Sequence, residues 1–160
     1  MDIRDLKFPS VQVASAADMT HVNFRAQLNR NWKIVGHGQA AGPDRKGHVF
    51  SIYDALGYAL AHRLVRMGAP STLAFELAML DCVYDGLIEP LLQEQGAQAA
   101  WFIYYPWVDR RESSLVLIGP RSHVAAFFED FRGENAVIID LFGLRNQVFA
   151  SLGVTLEGES

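Results

Sequence analysis

At 160 residues the chain has the length of one domain, or of a small domain with an appendage. Half its residues are apolar and a fifth are charged, a balance that excludes a disordered chain. No apolar run reaches the ~18 residues a membrane span needs. The mixed-charge start MDIRDLKFPS lacks the apolar stretch of a signal peptide, and the single Cys82 leaves no internal disulfide. The expected compartment is a reducing cytoplasm.

The net charge of −4 is unevenly spread. Residues 1–50 hold seven Lys/Arg against four Asp/Glu, residues 51–100 two against six, and residues 101–160 five against eight. From Thr20 to Phe50 five basic residues and His21, His37 and His48 face one acid, Asp44. A basic patch on an acidic body is the electrostatic footprint of a small DNA-binding module.

In chain order, residues 1–10 read as a loose lead-in closed by Pro9 and Ser10, and Val13 to Asp18 as a short helix. Thr20 is the expected N-cap of the next helix, from about His21 to Asn31, because its hydroxyl can accept an orphan backbone N–H. Val22, Phe24 (or Arg25), Leu28 and Trp32 form the expected inward stripe. Asn23, Arg25, Ala26, Gln27, Asn29, Arg30 and Lys33 are left facing outward. Arg, Asn and Gln are the side chains that read guanine and adenine edges bidentately in the major groove. Two short helices with a tight turn near Met19–Thr20 make a helix-turn-helix.

Gly36, Gly38, Gly42, Pro43 and Gly47 then break the chain. Trp32–Val35 and His48–Phe50 can pair as a two-stranded wing, with Arg45 and Lys46 near its tip beside a phosphate backbone. Ser51 with Asp54 predicts a capped helix, with Ile52, Ala55, Leu56, Ala59, Leu60, Leu64 and Met67 on its apolar face and Gly68 as its left-handed terminator. A helix starting at Pro70–Ser71 and ending near Pro90 carries Leu73, Leu77, Leu80, Tyr84, Leu87 and Leu91 at heptad spacing. Such a seam serves either an intramolecular core or a dimer. Beyond Gly96, Trp101–Val108 and Ser114–Ile118 predict a hairpin turning at residues 109–113, with Pro106 confining the first strand to an edge or a strand end. A helix through Val124, Phe127, Phe128 and Phe131 to Gly133, a strand at Ala136–Leu141 and a helix at Leu144–Leu152 complete a β-β-α-β-α unit. The hairpin is too apolar to face water on both sides and must cover a core, a partner or a ligand.

The basic glycine-broken segment, "Phe-Ser-Ile-Tyr-Asp-Ala-Leu" opening a helix and "Arg-Leu-Val-Arg-Met-Gly-Ala-Pro" closing it together resemble the MerR-type winged helix-turn-helix transcriptional regulators over roughly residues 11–90. Phe50, Asp54 and Gly68 sit where that pattern wants them. Arg25 and Arg30 fall in the segment resembling the recognition helix, and Arg45 and Lys46 in the wing. His48–Val49 and Asn31–Trp32 depart from the family pattern, and the family's long coiled coil is shortened to one helix. The resemblance implies a dimer on double-stranded DNA.

Cys82 has no partner at metal-ligand spacing, and the five histidines form no His-x-x-x-His pair. Asp81, Asp85 and Glu89 read as a solvated face. No nucleophile motif appears, so no catalytic residue, metal or cofactor is expected and the chain is read as a non-enzyme. The expected fold is α+β. It comprises a winged helix-turn-helix domain at 1–68, a connecting or dimerisation helix at 69–95 and the small C-terminal unit at 96–160. DNA contacts are expected from Thr20, Asn23, Arg25, Gln27, Asn29, Arg30, Lys33, Arg45 and Lys46. The alternative is a protein-interaction or ligand-sensing module working through Trp101, Tyr105 and Trp107.

Overall fold

A computed structural model describes residues 2–35, 39–40, 47–80, 83, 101–105, 115–130 and 136–155. The chain is α+β: six α-helices and two three-stranded antiparallel sheets lie among the described residues. After a 3₁₀ turn at Ile3–Asp5 come β1 (Phe8–Pro9), α1 (Ser10–Ala16), α2 (His21–Val35), β2 (Gln39–Ala40), β3 (His48–Phe50), α3 (Ile52–Arg66) and α4 (Ser71–Ala78). The second half has β4 (Trp101–Tyr105), β5 (Leu115–Gly119), α5 (Arg121–Asp130), β6 (Val137–Asp140) and α6 (Leu141–Leu152).

The helix ends follow their expected chemistry. Ser51 Oγ accepts from the Asp54 N–H at 3.2 Å, and the Ser51 N–H donates to Asp54 Oδ2 at 2.7 Å, a reciprocal box that satisfies two orphan donors of α3. At its other end Gly68 takes φ +100°, the Gly68 N–H reaches the Val65 carbonyl and the Ala69 N–H the Leu64 carbonyl. That is a Schellman closure, and it needs the left-handed glycine. The chain then turns back and α4 packs on α3.

Several elements differ from the sequence expectation. The lead-in is tied down at its end: Phe8 pairs with Phe50 and Pro9 with Val49, making β3 the centre of the order β1-β3-β2. Trp32–Val35 does not form a strand but prolongs α2, and Gln39–Ala40 pairs with His48–Val49 in its place. α4 ends at Ala78 rather than near Pro90, with Met79 as its C-cap. Leu77 of the heptad seam is buried in this chain's own core, Leu73 is half-buried and Leu80 exposed; Tyr84, Leu87 and Leu91 lie outside the described residues.

The second sheet has the order β5-β4-β6, so the aromatic strand β4 is central, and its described part ends before Pro106. Its two faces are covered differently. Phe102 joins the main core, while Ile103 packs with Val124, Ala136 and Ile138 in a smaller cluster on the α5 side. Strand β4 thus has core against both of its faces, through Phe102 and Ile103. α6 begins at Leu141 instead of Leu144, capped by Asp140, whose carboxylate accepts from the Gly143 N–H at 3.1 Å. Leu144, Val148 and Phe149 of α6 belong to the same core cluster as Val13, Phe24, Leu56 and Phe75. The last helix therefore packs back on α1 and α3. Phe131, Gly133 and residues 109–113 lie outside the described residues.

Candidate functional site

α2 is fixed at its start and along its inner side. Thr20 Oγ1 accepts from the Asn23 N–H at 3.2 Å and the Thr20 carbonyl from the Phe24 N–H at 2.9 Å, so Thr20 is the N-cap. Inside, Phe24 and Leu28 are buried. The Phe24 ring meets Tyr58 edge-on at 4.7 Å and Phe50 at 5.5 Å, which ties α2 to α3 and β3 through edge-to-face aromatic contacts. At ~100° per residue, this inner edge turns the opposite side of the helix to solvent.

That outer side carries Asn23, Arg25, Asn29 and Arg30, all exposed, with Ala26 half-buried between them. Arg30 Nε donates to the Ala26 carbonyl at 3.4 Å. α2 contains no acid, and none occurs between Asp18 and Asp44. Asp18 itself pairs with Arg66 of α3. Val22 departs from the inward stripe of the sequence pattern: it is 77% exposed, because the helix phase set by Phe24 and Leu28 turns position 22 outward. Gln27 lies at the edge of the buried side, half-buried, and its Oε1 accepts from Ser71 Oγ at 2.6 Å, joining α2 to the start of α4.

Lys33 lies within α2, but its side chain is outside the described residues, as are Arg45 and Lys46. Trp101 starts β4 half-buried and Tyr105 ends it; the Tyr105 side chain, Trp107, Cys82, Asp81, Asp85 and Glu89 are outside the described residues. Among the described residues no group of three or more His, Cys, Asp or Glu is placed to hold a metal ion, and no helix is long and apolar enough to cross a membrane.

Three features lay beyond sequence reasoning. Asp18 holds φ +57° in the turn between α1 and α2, a left-handed position that Asp tolerates better than most residues. Beside it is a shallow cleft where Ala17, Asp18, His62, Arg63, Arg66 and Gln147 meet, and Arg63 donates to Gln147 of α6 at 2.8 Å. Burial, then the neighbouring Arg66, pushes the His62 imidazole below its ordinary pKa against weaker opposing effects of Asp18. Arg145 is 1% exposed and lies 4.3 Å from the Phe142 ring centre. Its guanidinium also donates to Asn146 Oδ1 at 2.8 and 3.0 Å. The Arg63–Gln147 bond joins residues 84 positions apart, which no sequence spacing announces.

Neither the protein-family models nor the curated proteins compared with this chain give a match.

Proposed function

We propose that the chain is a sequence-specific double-stranded DNA-binding protein, a dimeric transcriptional regulator of MerR-like winged-helix type acting in the cytoplasm. The observation that carries this reading is the exposed, acid-free face of α2 with Asn23, Arg25, Asn29 and Arg30. α1, the Ala17–Thr20 turn and α2 act as the helix-turn-helix, and the β2–β3 pair with the basic segment between its strands acts as the wing. Arg25, Asn29 and Arg30 read base edges, and Asn23 supports them from the flank. Arg45, Lys46 and Lys33 contact phosphates, which position the protein without selecting sequence. Thr20 contributes through its cap. Gln27 is the weakest member of the expected set, because Ser71 holds its amide oxygen.

Selection of bound sequences from a random duplex library tests the reading. A recurring site with two half-sites one helical turn apart is the expected result, because a two-fold dimer reads a palindrome. Absence of any duplex binding at low salt overturns it. The interaction-module alternative gains no support from the described part of the aromatic hairpin, where Phe102 and Ile103 are covered by the chain's own core.

A further inference from the structure

The exposed face of α2 has an aliphatic member that the expected contacts leave unused. Val22 is 77% exposed in the first turn of α2, and Ala26, one turn on, lies on the same side. Asn29 completes a row at i, i+4, i+7, with Arg25 and Arg30 on its two edges. From Val22 to Asn29 the row is about 10 Å long at ~1.5 Å per residue. That length matches about three base pairs at ~3.4 Å each. No acid lies along the row, and the Arg25 and Arg30 guanidinium groups on its edges complement a polyanion.

In the major groove only thymine offers an apolar group, its C5 methyl, and aliphatic side chains recognise it. A helix-turn-helix presents the first residues of its second helix to the base edges. Valine suits this position because its branched side chain is stiff at χ1 and loses little freedom on contact. Resting on the DNA-binding reading above, we infer that Val22 is a specificity-determining residue that packs on a thymine methyl, so that each half-site holds a thymine opposite the start of α2. Asn29, at the other end of the row, faces a base two to three pairs away and favours adenine.

The test replaces each thymine of the selected site, one at a time, by deoxyuridine, which lacks only the methyl. Wild-type protein should lose about fourfold in affinity at one thymine per half-site, the worth of about one buried methyl-sized group. Val22→Ala keeps the helix and touches no core residue. It should bind the thymine site more weakly than wild type and show no further loss on deoxyuridine replacement. The inference is overturned if no single methyl matters to wild type, or if Val22→Ala keeps the same sensitivity. Failure of wild type to bind any duplex overturns the DNA-binding reading itself, an outcome distinct from both.

Discussion

Tyr58 shows how one buried polar atom sets a testable energy. Its ring sits among Phe24, Phe50 and Phe75, the residue is 1% exposed, and its hydroxyl has no hydrogen-bond partner among the described residues. Burial, then the Asp54 carboxylate, pushes its pKa above the ordinary phenol value. An unpaired buried hydroxyl costs about 1–3 kcal/mol of desolvation. Tyr58→Phe should therefore raise the unfolding free energy by about 1 kcal/mol in urea titrations, and a loss of stability would reveal a partner for the hydroxyl. Asp18 gives the converse case. At φ +57° a β-branched side chain is strained, so Asp18→Val should cost about 1–2 kcal/mol, whereas Asp18→Gly should be close to neutral. The ion pair with Arg66 is exposed and adds little to that balance. His62 adds a pH dependence. Its folded pKa lies below the unfolded one, so the unfolded chain binds the proton more tightly and stability falls as pH drops below about 6.5. His62→Gln should flatten that limb of the stability-against-pH curve.

At the scale of elements, the sequence revealed what is local and hid what is not. Thr20, the Ser51–Asp54 box and Gly68 could be read directly because a cap is made by residues three or four apart. Phe8–Pro9 could not, because a two-residue strand has no period and exists only through its pairing with β3. Trp32–Val35, apolar but for Lys33, suits a strand or a helix end equally, and it continues α2 to Val35. The candidate site follows the same rule. Arg25, Asn29 and Arg30 emerged on the outer face because polar residues opposite Phe24 and Leu28 have nowhere else to go. Gln27 met Ser71, 44 positions away, which no helical spacing foretells. This separates two kinds of α2 variant. Arg25→Ala should weaken binding to the selected site by about 1–3 kcal/mol with unchanged thermal stability. Gln27→Ala should cost about 1 kcal/mol of folding stability and leave the selected sequence unchanged, as binding and unfolding titrations on the same preparations would show.

For the whole molecule, the decisive fact is that α6 completes the core under α1 and α3. Leu141, Leu144, Val148 and Phe149 are each 5% exposed or less, in one cluster with Val13, Phe24 and Leu64. Arg63 on α3 is also bonded to Gln147. At about 1.5–3 kcal/mol for each apolar side chain, these four contribute as much as the entire net stability of an ordinary domain, about 5–15 kcal/mol. A chain cut after Asp140 should then lose cooperative unfolding by circular dichroism, including in the helices that precede α3. An N-terminal unit that melts cooperatively without α6 would show that the first 80 residues carry a sufficient core of their own. The same packing bears on the proposed dimer. Of the described seam residues, Leu77 is 6% exposed and already used within one chain, whereas Leu73 is half-buried and Leu80 exposed. Leu77→Ala should lower stability by about 2–5 kcal/mol at every protein concentration, as a cavity in a monomer core does. A penalty that grows on dilution would instead place Leu77 at the contact between two copies, because only an interface gives stability that depends on concentration.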